Sequence, residues 1–218
     1  MKVLLIAKHS TAGGAAIASR RLLEVLRQEG LDASMLVQEG SDEEKAIYST
    51  THSAIKRWTN LWRFIAERLV FLPRERSADI RFLFSLANTG EHLVDHPLVK
   101  EADIIHLHWI NAGFLSLRSL KALLDLDKPV VWTFHDMWPF TGGCHYALEC
   151  GEYTRQCGQC PYLKRPGAND LSHRIWLKKK EIFTTGKFTV ITPSRWLKAS
   201  AGASSLLAHH DIPVSYTH

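Results

Sequence analysis

No window of the 218-residue chain approaches the run of about 18 apolar residues that a bilayer-spanning helix needs. No tract of Lys and Arg with interleaved aromatics marks a nucleic-acid face, although the formal charge is +5. Nucleic acid is therefore not an expected partner, while acidic small molecules and an anionic membrane surface stay open. The chain has no G-x-G-x-x-G fingerprint and no G-K-[ST] loop, which removes the common dinucleotide and Walker-type readings. No internal repeat is present, and glycine (13) and proline (8) are too few for a disordered or fibrous chain. From Met1 to Ala7 the sequence passes from one lysine straight into VLLIA. That is too short an apolar stretch for a signal peptide, so a cytoplasmic location with reduced thiols is expected.

The remaining sequence reads as an alternation of strands and helices. KVLLIA is a short, nearly continuous apolar run, as expected of a strand covered on both faces. In AAIASRRLLEVLRQEG, Ala15, Ala18, Leu22, Val25 and Leu26 recur at helical spacing, and Gly30 supplies a stop. ASMLVQ completes a βαβ unit. A long helix is predicted over 53–72, then strand DIIHLH, helix LRSLKALLDL and strand PVVWTF. Helix DLSHRIWLKKKEIF, strand FTVIT and a helix opening at PSRWLKAS follow. The pattern predicts an α/β, doubly wound, mostly parallel sheet.

In such a sheet ligands lie beyond the carboxyl ends of the strands. Gly13 and Gly14 sit where the first strand turns into a helix, where free N–H groups and a permissive backbone favour an anion; a tight packing turn is the bland alternative. His106 and His108 share one face of a strand. His106, inside the strand, reads as a core histidine, and His108, at the tip, as a site candidate with Trp109 and Asn111 after it. One strand later His135 and Asp136 step out in the same way, and Ser194 and Arg195 follow the last strand. Imidazoles and a carboxylate at neighbouring tips suit recognition of hydroxyl groups or proton transfer near neutral pH.

All four cysteines fall in one loop, as Cys144, Cys150, Cys157 and Cys160. Four thiols so close can form a tetrahedral structural zinc site, with His145 able to replace one of them. A redox pair in CGQC, two disulfides, and four free structural cysteines are the competing readings. In the 53–72 helix, Ile55, Trp58, Leu61, Trp62, Ile65 and Leu69 share a face, with Lys56, Arg57, Arg63 and Arg68 elsewhere. The expected use of that face is to cover the sheet. The alternative is an interfacial helix on the inner membrane surface.

The GG loop, ADIIHLHWINAGFLS, PVVWTFHDMWPFTGGCHY and VITPSRWL together resemble the N-terminal domain of a retaining glycosyltransferase of family 4. The resemblance is closest to bacterial polysaccharide-building members with the same CHY…C…CGQCP loop. It implies a Rossmann-like, acceptor-side half of a GT-B fold over 1–213, with the cysteine loop 144–160 as an insertion. It also implies a nucleotide-sugar donor, a glycan or lipid-linked glycan acceptor, and no cofactor needed for catalysis. By the same resemblance Gly13 and Gly14 lie near the donor phosphates and His108 and His135 reach the reacting sugar.

A C-terminal donor-binding domain would be missing, leaving the chain alone inactive. The last five residues, Val214 to His218, match what a sequencing-library adapter encodes, so the native part is expected to end near Pro213. Two other classes stay open: a zinc-stabilised, non-catalytic carbohydrate- or protein-binding domain, and a CxxC thiol oxidoreductase.

Overall fold

The computed structural model describes residues 1–40, 45–208, 210 and 212–214. Six parallel strands form one sheet: β1 (Lys2–His9), β2 (Asp32–Glu39), β3 (Ile47–Ser49), β4 (Ile104–Leu107), β5 (Val130–Thr133) and β6 (Thr189–Ile191). Their spatial order is β3-β2-β1-β4-β5-β6, with every neighbouring pair parallel. The chain winds outward in one direction from β1 and then in the other from β4. The order reverses between those two strands, the place where a doubly wound sheet opens a crevice.

Strand β1 shows why its apolar run is continuous. Val3, Leu5 and Ala7 pack with Leu23 of α1 (Gly14–Gln28) on one face, while Leu4 and Ile6 join the larger cluster on the other. Each fully buried Leu or Ile contributes about 1.5–3 kcal/mol, so a strand buried on both faces anchors the sheet. Helix α1 ends at its C-cap Glu29, and Gly30 takes φ 81° just beyond it. Its buried stripe is Ala16, Ser19 and Leu23, one residue round from the expected one, and Val25 stays exposed. Small Ala16 and Ser19 let the helix lie close to the sheet.

The remaining helices are α2 (Ala54–Phe71), α3 (Pro97–Glu101), α4 (Leu117–Leu124), α5 (Leu171–Thr185) and α6 (Arg195–Gly202). Ser53, Ser116, Asp170 and Ser194 cap four of them, each side chain accepting a backbone N–H of the first turn. Further features depart from the sequence reading, among them the short helix α3, which was not expected. Strand β3 is only three residues long and was not expected. Helix α2 buries Asn60, Glu67 and Phe71, whereas Ile55, Trp58, Leu61, Trp62 and Leu69 are exposed. The apolar face expected on the sheet points away from it.

The inner side of α2 is held by polar contacts. The Glu67 carboxylate accepts from the backbone N–H groups of Leu86 (2.8 Å) and Ala87 (3.3 Å) and from Arg68 (2.7 Å). Asn60 donates to Thr51 Oγ1 at 2.9 Å. Phe71 stacks on Phe84 with ring centroids 4.8 Å apart. At the other end of the chain, Val214 forms an isolated parallel bridge with Thr192; the other adapter-like positions, 215–218, lie outside the described residues.

Candidate active site

The tips of β1 and β4 are tied together past the last formal strand residue. His108 N–H donates to Ile6 O at 2.9 Å, and Lys8 N–H to Trp109 O at 2.9 Å. Above them opens a cavity of about 610 Å³, lined by His9, Gly13, Gly14, Trp109, His135, Asp136, Tyr146 and Pro193 among others. Residues from the ends of β1, β4, β5 and β6 therefore share one rim, as strand order alone would require.

Gly13 has φ 87°, in the left-handed range that favours glycine, and a Cβ there would meet nothing within 4 Å. The space above it is open, and α1 has neither a side-chain cap nor an acid in its first turn. Its first N–H groups therefore face the cavity without a competing protein anion, an arrangement suited to phosphate oxygens.

The histidines form a stack. His106 Nε2 shares a hydrogen bond with Thr133 Oγ1 (2.8 Å), its ring lies 4.5 Å from that of His108, and His108 Nδ1 pairs with His135 Nε2 at 3.0 Å. His106 is the core histidine expected. His108, however, is only 3% exposed, lies outside the cavity lining, and leaves its Nε2 without a partner. It backs His135 rather than facing the cavity, because in the β4–β5 register His108 stands level with Thr133, two residues short of His135. Burial pushes His106 and His135 down to about 4, and burial together with its two neighbours holds His108 well below the usual imidazole range. All three are neutral at physiological pH. His135 meets a ligand as a neutral hydrogen-bonding group.

Asp136 lines the cavity with its lone pairs already engaged. Oδ2 accepts from His145 Nδ1 (2.7 Å) and Trp109 Nε1 (2.9 Å), and Oδ1 from the Trp138 N–H (2.8 Å). His145 Nε2 in turn meets Ser85 Oγ at 2.9 Å. Burial alone would raise the Asp136 carboxyl, but the bonds from His145, Trp138 and Trp109 outweigh it and hold the group below the ordinary value. Asp136 thus fixes the Trp109 indole and the turn at Trp138.

The other expected site residues are placed as follows. Asn111 is buried with Nδ2 unpartnered and does not line the cavity. Ser194 is occupied as the cap of α6, accepting from Leu197 N at 3.1 Å, and Arg195 is exposed; of that segment only Pro193 lines the cavity. Lys8, His9 and Tyr146 line it and were not singled out as individual residues. The signal for His9 was present, since it ends β1 just before the glycine pair. Lys8 is buried with Nζ donating to Gln38 (2.6 Å), Glu39 (2.9 Å) and Ala112 O (3.1 Å), so it joins the tips of β1 and β2 to the loop after β4. Tyr146 arrives from the cysteine loop, which no local pattern would bring to the rim.

The cysteine loop turns the other way. Cys144, Cys150, Cys157 and Cys160 line one small cavity of about 20 Å³ with Phe84, Tyr153 and Tyr162. Cys157 and Cys160 belong to the main apolar cluster, and Cys144 and Cys150 pack against it. Burial raises the thiols of Cys144, Cys157 and Cys160 to about 12. Thiols so poised are poor nucleophiles, which speaks against the CxxC oxidoreductase reading.

Among the described residues no group of three or more His, Cys, Asp or Glu side chains is arranged to hold a metal ion. His145 cannot stand in, because both ring nitrogens are engaged. The four-thiol zinc site expected from the spacing stays an expectation, for which the structure supplies only the shared cavity. Nearness in sequence brought all four cysteines to the wall of one small cavity. Lys179 of α5, wholly buried, fastens the start of this loop through bonds to Trp138 O and to Thr141 O (3.0 Å). Its ammonium also lies 3.6 Å from the Trp138 ring centroid.

A doubly wound parallel sheet with an open crevice at its switch point, a bare helix N-terminus and neutral imidazoles defines a class of small-molecule-binding α/β domains. Residues 12–214 match Glycosyltransferase Family 4, and the chain belongs to that family. It is also 24% identical over 191 residues to a protein of Escherichia coli (strain K12) named "Putative colanic acid biosynthesis glycosyl transferase WcaC". That alignment takes in 84% of this chain, and the chain spans about 45% of the length of that relative.

Proposed function

We propose that the protein carrying this chain transfers a sugar from a nucleotide-sugar donor to a hydroxyl of a cell-surface polysaccharide or glycolipid, with retention of anomeric configuration. The observation that carries the reading is the shared rim. The uncapped N-terminus of α1 behind Gly13 and Gly14 faces the same 610 Å³ cavity as His135 and Trp109. The helix N-terminus would take the donor diphosphate, whose departure is the main charge change in such a reaction.

His135 would hydrogen-bond the sugar or the acceptor hydroxyl as charge develops, with His108 setting its ring from behind. Burial that drops His135 to about 4 makes it a weak base at neutral pH. That supports a front-face, retaining route over base-assisted inversion. Trp109, held by Asp136, would offer a flat apolar wall to a sugar face. A non-catalytic binding domain would use the same cavity without turnover.

The test uses the full-length protein in a screen of nucleotide sugars for donor hydrolysis and transfer. Turnover with retained configuration is expected, and His135→Ala should lower kcat about 100-fold, the usual scale for losing one positioned hydrogen-bond group. Absence of turnover with every donor, or an inverted product, overturns the proposal.

A further inference from the structure

Helix α2 presents an apolar ridge to solvent: Ile55 (76% exposed), Trp58 (62%), Trp62 (59%) and Leu69 (57%). These residues recur at helical spacing, opposite the inward-facing Asn60, Glu67 and Phe71. Phe82, 66% exposed, stands apart from the ridge, stacked on Phe64 at 6.4 Å. Single exposed apolar residues are ordinary, but a contiguous ridge with two tryptophans marks an interaction surface.

At the C-terminal end of the same helix lies a groove of about 530 Å³. Val70 forms part of its floor, and Arg74, Lys164, Arg165 and Arg174 line it. The lining contains one acid, Asp170, whose oxygens already accept from Cys160 N, Gly167 N, Ser172 and His173 N. Lys56 and Arg57 stand exposed at the other end. An apolar ridge bounded by cations at both ends fits a surface that is apolar within and anionic at its face.

We infer that α2 docks the protein on an anionic lipid bilayer, the tryptophans seated at the headgroup level and the Arg74–Arg174 groove taking a lipid phosphate. This goes beyond sugar transfer and does not depend on it. The loop after β4 links the two regions: Gly113 approaches the α2 backbone so closely that a Cβ would lie 2.9 Å from Phe64 N. A bilayer under the ridge would therefore lie across α2 from the loop that carries Trp109.

The experiment is flotation of the 218-residue chain with vesicles of phosphatidylcholine, alone or mixed with phosphatidylglycerol. Binding to the mixed vesicles is expected to be at least about tenfold tighter and to weaken with salt. Trp58→Ser with Trp62→Ser should cut binding to the mixed vesicles about tenfold. Lys164→Glu with Arg165→Glu should reduce it to the level on phosphatidylcholine alone. Circular dichroism checks that each variant is folded. If the tryptophan variant is not, the charge variant and the salt titration decide. Calorimetric binding of inorganic phosphate by a chain that neither kind of vesicle retains would reassign the groove to a soluble anion and overturn the proposal. So would a wild-type chain that stays with the aqueous fraction. A dimer dispersed by the tryptophan variant, without flotation, would make the ridge an interface between copies and overturn it equally.

Discussion

Helix α5 turns Ile175, Trp176 and Ile182 inward and takes Lys179 with them; helix α2 turns Asn60 and Glu67 inward and leaves Trp58 and Trp62 exposed. Both helices carry tryptophan, aliphatic and basic residues in similar proportion. What differs is the surface each one meets. Helix α5 closes over the turn at Trp138–Thr141, whose carbonyls need a donor that only a long cation can deliver. Helix α2 lies along segment 85–91, whose free N–H groups need an acceptor, and Glu67 supplies it. In each case the unpaired backbone groups of a neighbouring loop decided which polar residue went inside.

That comparison can be broken most forcefully at the inner face of α2. Phe71→Ala removes a wholly buried ring stacked on Phe84 and is expected to cost about 4 kcal/mol in chemical denaturation. Glu67→Ala leaves two N–H groups and Arg68 without their acceptor, an expected loss of about 3 kcal/mol. If either change proves silent, α2 is not docked by that face.

A pH titration of stability sharpens the contrast between the histidine stack and Lys179. His106 and His135 titrate at about 4 in the folded chain against an ordinary 6.5, so the unfolded chain binds more protons between those values. Stability contributed by the neutral stack is full above 6.5 and lost as pH falls toward 4, by up to roughly 1.4 kcal/mol per pH unit for each ring. Lys179, lowered to about 7 from 10.5 by burial, adds a second rise as pH climbs above 7. The buried thiols oppose it above about 9, where unfolded cysteines begin to ionise first. His135→Gln should flatten the acid limb and leave the alkaline one, and Lys179→Met should do the reverse.

Smaller effects are expected from chelation and on the exposed face of α2. Overnight chelation should leave the melting temperature unchanged where the thiols act only as members of the core; a clear drop would reveal a metal centre at Cys144–Cys160. Trp58→Ser with Trp62→Ser should move stability by no more than about 0.5 kcal/mol, against the large cost of Phe71→Ala in the same helix.

The strand–helix alternation was legible because each central strand announces itself as a short apolar run bounded by turn residues, and the chain order of those runs already places Gly13, Gly14, Trp109 and His135 on one edge. Periodicity could not say which way α2 faces: it locates an apolar stripe, and only the partner surface tells whether the stripe is covered. Nor could it separate His108 from His135, because whether a tip imidazole sits above or below its neighbour depends on the sheet's twist and on the Trp132 indole bonded to His108 O at 3.1 Å. Strand β3 was missed because three residues are too few to show a period. The cysteine spacing correctly announced proximity and said nothing about the direction of the sulfurs.

Gly113 carries one further consequence. Its φ of 80° and its backbone contact with α2 leave no room for even a methyl group, while the preceding carbonyl, Ala112 O, is gripped by the ammonium of Lys8. A single rigid link thus runs from the outermost helix to the tip of the first strand. Replacing Gly113 with alanine would have to lever that helix outward, unlatching it from the wall of the cavity at the strand tips.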